Sequence, residues 1–83
     1  MKAKVKGLRR APISGDYIRL DAFMKYVGEA ETGGEAKGII SDGEVFIDGK
    51  KCIQRGKKVC KGSFVRHRNK IWMITGAPAS DGG

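Results

Sequence analysis

The apolar residues of this chain change their period about halfway along it. Leu20, Phe23, Met24 and Val27 fall at i, i+3, i+4 and i+7, which puts them on one face of an α-helix. Gly28 follows as a stop. A helix of about two turns is marginal alone, so packing has to hold it. Thr32-Gly33-Gly34-Glu35 then reads as a capping box, with Thr32 as N-cap and Glu35 reaching back to the Thr32 amide. Ala36, Ile39 and Ile40 supply a second stripe that Gly43 ends. Two short helices, each with one apolar face, are expected to pack on each other.

From Glu44 the period is two. Glu44-Val45-Phe46-Ile47 alternates, Asp48-Gly49 suits a type I′ hairpin turn, and Lys50-Lys51-Cys52-Ile53 returns. This register sets Ile47 opposite Lys50 and Val45 opposite Cys52, which gives Cys52 a packing role. Arg55-Gly56-Lys57-Lys58 is a basic loop. Val59 and Phe64-Val65 resume a strand with Gly62 turning between them, and a turn around Asn69 leads into Ile71-Trp72-Met73-Ile74. Phe23 and Phe64 fit core positions, while Phe46 falls on the face opposite Val45 and Ile47. For Trp72 and Tyr17, core or edge packing is the commoner fate. His67, between Arg66 and Arg68, is expected at the surface, exposed or touching a phosphate. Pro12 and Ser14-Gly15-Asp16 punctuate the chain before the helices.

The expected organisation is a basic arm over residues 1–10 with a short strand near Val5 to Leu8, one domain over 11–75, and a small, polar, disordered tail over 76–83. The fold class is α+β, two short packed helices against a small, mostly antiparallel sheet. Its 83 residues suffice for one modest core.

Charge adds the functional clue. Seventeen Lys and Arg against nine Asp and Glu give +8, an excess that points to a polyanion. Residues 1–10 carry Lys2, Lys4, Lys6, Arg9 and Arg10 with no acid. Residues 49–70 carry Lys50, Lys51, Arg55, Lys57, Lys58, Lys61, Arg66, Arg68 and Lys70, again with none. A face that needs only solubility manages with mixed signs. Residues 16–48 are acidic on balance, so neither helix is the basic amphipathic kind that lies on membranes. No apolar segment follows the basic N-terminus and no apolar run could span a bilayer, so a cytoplasmic protein is expected.

Catalysis is not expected. There is one histidine, no nucleophile elbow, no Walker loop and no convincing pair of carboxylates. Cys52, Cys60 and His67 offer three zinc ligands at spacings that match no common pattern, so neither a metal nor another cofactor is expected.

The run Arg19-Leu20-Asp21, Thr32-Gly33-Gly34-Glu35-Ala36-Lys37, Ile40, Gly43, Val45, Ile47 and Gly49 resembles the RNA-binding domain of ribosomal small-subunit protein four, the alpha-L motif. Similar domains occur in pseudouridine synthases, tyrosyl-tRNA synthetases and a ribosome-associated heat-shock protein. The likeness is greatest to small stand-alone bacterial members and runs from Ile13 to Val65. It implies helices packed on a twisted sheet, no catalysis, and docking on structured RNA, commonly ribosomal or transfer RNA, with ribosome association. Three positions depart from the pattern. Gly33 stands where many relatives have arginine, Asp48 where they have asparagine, and Ser63 where they have aspartate.

The loss of an arginine at Gly33 shifts weight to Lys25, Lys37 and the 55–58 loop as family-type RNA contacts. Arginine binds phosphate bidentately and glycine lets a loop approach closely, which favours Arg55, Lys57 and Lys58, with Lys50 and Lys51 on the preceding strand. Gly33 and Gly34 expose the first amides of the second helix to an anion, but Thr32 and Glu35 compete for that site as caps. Arg19 is a contact of the same kind, with Asp21 and Asp16 as rival partners. The resulting expectation is a monomeric RNA binder without a small-molecule substrate. The alternative is an adaptor whose basic surface binds an acidic protein.

Overall fold

The computed structural model describes residues 8–77. Along them run β1 (Leu8–Ile13), β2 (Tyr17–Arg19), α1 (Leu20–Tyr26), α2 (Gly33–Ser41), β3 (Val45–Ile47), β4 (Lys50–Lys51), β5 (Lys58–Cys60), β6 (Phe64–His67) and β7 (Lys70–Gly76). The class is α+β. Five strands form one sheet in the order β1-β7-β6-β3-β4, and β2 pairs with β5 in a separate antiparallel ribbon. Within the sheet only β1 and β7 run parallel.

Both helical stripes face inward. Leu20, Phe23 and Met24 of α1 and Ala36 and Ile40 of α2 are buried among Val45, Ile47, Val65, Trp72 and Ile74 of the sheet. Burying each large side chain contributes about 1.5–3 kcal/mol. Phe23 meets Trp72 edge to face, with centroids 5.5 Å apart and planes at 85°, which settles Trp72 as core. Gly28 follows α1 at φ 82° and Gly43 follows α2 at φ 80°, the left-handed conformation that ends helices and favours glycine.

The hairpin has the expected register. Ile47 pairs with Lys50, and the Cys52 amide donates to the Val45 carbonyl at 3.0 Å. Asp48 and Gly49 have φ of 51° and 86°, as a type I′ turn requires. Cys52 packs against the core, while Cys60 is exposed.

Several expectations are corrected. Phe64 is 42% exposed: strict alternation along β6 gives the core positions to Val65 and His67. His67, expected at the surface, is therefore only 2% exposed. Val59 and Phe64-Val65 are in strands with Gly62 between them at φ 91°, as expected, but β5 turns to β2 while β6 joins β3 and β7. Leu8 to Arg10, assigned to the arm, are the start of β1, which continues through Pro12 to Ile13. Proline lacks a donor, and β1 is an edge strand, where one is tolerated. Gly76 ends β7, and the Ala77 amide donates to the Ile13 carbonyl at 2.9 Å, so neither belongs to a free tail. The rest of the expected arm, with Lys2, Lys4 and Lys6, and residues 78–83 lie outside the described residues.

Candidate nucleic-acid interface

Helix α1 begins without a side-chain cap at Arg19, and its first amides would be orphaned without other partners. The basic loop supplies them. The Leu20 amide donates to the Lys57 carbonyl and the Asp21 amide to the Arg55 carbonyl, both at 2.9 Å. The Lys57 amide closes a turn on the Gln54 carbonyl at 3.1 Å. The loop is fixed by its main chain, and its cationic side chains are left to the outside. Arg55, Lys57 and Lys58 are exposed, with no acidic partner among the described residues.

Arg19 joins this group across the β2–β5 ribbon, where it pairs with Lys58. A Cβ on Gly56 would lie 3.5 Å from an Arg19 guanidinium nitrogen, so that glycine sits directly against the arginine. Arg19 is bridged to Asp21 at 3.1 Å but keeps 55% of its side chain exposed, as the sequence anticipated for that pair. Tyr17 contributes a ring beneath Lys58, whose ammonium lies 4.9 Å from its centroid. The sequence favours core or edge packing for Tyr17, which is 46% exposed, and only the ribbon brings it here. Lys50, Lys51 and Lys57 line an open groove of about 480 Å³, together with Ile47, Asp48, Cys52, Ile53 and Gln54. Its one acid is engaged: Asp48 Oδ1 accepts from the Phe64 amide at 2.9 Å. Six of the sequence-derived residues thus form one basic rim around the 52–58 segment.

The other five lie on the helices. Lys25 and Lys37 are exposed, clear of the apolar stripes. Thr32 caps α2 by accepting from the Glu35 amide at 3.1 Å. Glu35 reaches back to the Glu31 amide at 2.6 Å, one residue earlier than a standard capping box. Gly33 and Gly34 are exposed, and only the Thr32 hydroxyl comes within 4.0 Å of a Cβ placed on Gly34. No hydrogen bond or ion pair among the described residues joins these five to the loop rim.

A different fate meets the cations around His67. Its Nδ1 lies 2.6 Å from Glu29 Oε1 and its Nε2 3.3 Å from Glu44 Oε1, while Lys70 Nζ donates to Glu29 Oε2 at 2.8 Å. Burial pushes the Glu29 carboxyl up, but the hydrogen bonds and charges of Lys70 and His67 outweigh it and hold the group below the usual carboxylate range. Lys70 therefore serves the fold. Arg66, singled out only as part of a charge run, lies with its guanidinium 4.4 Å from the Phe46 centroid.

No group of three or more His, Cys, Asp or Glu among the described residues could hold a metal ion, and no helix among them is long and apolar enough to cross a membrane. No curated protein matches the chain. Residues 11–75 match the family model of the S4 domain, and the chain belongs to that family of RNA-binding domains.

Proposed function

We propose that this protein binds structured RNA, ribosomal or transfer RNA in class, through phosphate contacts on the rim of Arg19, Lys50, Lys51, Arg55, Lys57 and Lys58, without catalysis. Lys25, Lys37 and the α2 start at Thr32, Gly33 and Gly34 form an adjoining family-type surface on the helices. The anchoring of the loop is the observation that carries the reading. Two main-chain hydrogen bonds to the start of α1 fix the backbone that carries the cations before RNA arrives, so less backbone ordering entropy is lost on binding. Exposed cations without acidic partners suit a phosphate backbone, which any folded RNA presents. Residues 11–75 act as the binding unit in the cytoplasm, on the ribosome or its substrates.

Titration of a folded RNA at several salt concentrations tests this. Neutralising roughly four to six phosphates gives a log–log slope of affinity against salt of about −3 to −5. A flat response, or equal affinity for folded RNA and duplex DNA, would overturn recognition of RNA structure.

A further inference from the structure

The five-stranded sheet has a second face that the helices do not cover. Directly paired residues project to the same side of a sheet, and the register aligns Lys51, Phe46, Arg66, Ile71 and Leu8 across all five strands. The neighbouring row holds Phe64, Met73 and Arg10. Val45, Val65 and Trp72, in the same strands, point the other way into the core. Phe64 and Leu8 are 42% and 52% exposed, and Phe46, Ile71 and Met73 are half-buried. A water-facing sheet surface is ordinarily polar, and this one is apolar and aromatic.

Its charges say what it suits. These two rows contain three cations, Arg10, Lys51 and Arg66, and at the β3 end one acid, Asp48, whose carboxylate is engaged by the Phe64 amide at 2.9 Å, so the net charge is positive. A second copy docked face to face would bring like charges together, and an uncharged apolar partner would bury them unpaired. A ligand that supplies flat rings and negative charge in alternation satisfies both features. The guanidinium of Arg66, 4.4 Å from the Phe46 centroid, offers a planar stacking surface of its own, and Phe64 lies one diagonal step away at about 7–8 Å.

We propose that this sheet face binds unpaired nucleotides of the RNA, with bases stacked on Phe64 and on the Arg66–Phe46 pair and phosphates held by Arg10 and Lys51. The proposal rests on the RNA-binding reading and extends it, since the loop rim would hold the folded part while the sheet takes an adjoining single strand.

The test compares a blunt RNA hairpin with the same hairpin carrying an unpaired oligouridine tail. The native protein is expected to bind the tailed RNA about tenfold more tightly. Phe64→Ser and Arg66→Lys both alter exposed side chains, so folding should survive, and Arg66→Lys keeps the charge while removing the plane. Together they should abolish the preference for the tail and leave affinity for the blunt hairpin unchanged. Blunt-hairpin binding without a tail preference, or an equal loss on both RNAs, overturns the sheet proposal alone. Binding of neither RNA overturns the RNA reading and this proposal with it. Displacement of the tail by polyglutamate as readily as by free oligouridine would assign the face to an acidic polypeptide. Self-association in sedimentation that Phe64→Ser removes would assign it to a second copy. Both outcomes overturn the proposal.

Discussion

Around His67 a buried histidine and a lysine share one carboxylate, whereas Arg55, Lys57 and Lys58 of the 55–58 loop stay exposed with no acidic partner among the described residues. Glu29 accepts from both His67 and Lys70 with 9% of its side chain exposed, and its charge balances groups that would otherwise be costly to bury. At the loop the backbone carbonyls make the structural bonds and the side chains make none with acids. In sequence both regions belong to one acid-free basic run from residue 49 to 70. The contrast teaches that a count of cations overstates a binding surface. An acid from another element, here Glu29 just after α1, can recruit one of them to the fold.

Removing Glu29 should break the comparison most severely. Glu29→Ala leaves His67 and Lys70 without their shared acceptor, and leaving the buried His67 ring nitrogen unsatisfied costs up to about 3 kcal/mol. A lower urea midpoint with an unchanged slope would register it. RNA affinity of the folded variant should stay near that of the native protein. A large loss of affinity at full folding would mean that the two regions are not separate.

The next effect concerns the loop. Replacing Arg55, Lys57 and Lys58 by alanine should weaken binding to a folded RNA by at least about 1–2 kcal/mol more than replacing Lys2, Lys4 and Lys6, a tenfold or greater difference in Kd. Both variants lose three charges, so long-range attraction changes by a similar amount. Circular dichroism has to show both folded. Equal losses would mean that the overall field does the binding and that the anchored loop has no privilege.

The smallest effect is on pH dependence. The Glu29 carboxyl is held below its ordinary value of 4.5 in the folded protein. Its contribution to stability is therefore complete above that value and is lost as pH falls through the lowered one. Unfolding followed across the acid range should show the native protein losing stability there. Glu29→Gln should lose less over the same range, because it has no such proton to take up. Identical acid slopes would show that Glu29 is not held as described.

Periodicity and local chemistry were enough for the elements whose geometry is set by near neighbours. The two helical stripes, the Thr32 cap, the glycine stops and the Asp48-Gly49 hairpin all depend on residues within a few positions, and all are present. The basic character of the 55–58 loop was legible for the same reason. What the tertiary structure decided is how distant segments meet. The parallel pairing of β1 with β7 and the departure of β5 to β2 join residues about forty or more apart, and no local pattern carries that information. The pairing of β6 with β3 and β7 turns Phe64 outward and His67 toward Glu29, and the β2–β5 ribbon sits where the loop carbonyls meet the start of α1. The chain thus determined by itself where its cationic side chains fall, and the packing of remote segments decided which of them face water and which are drawn onto an acid.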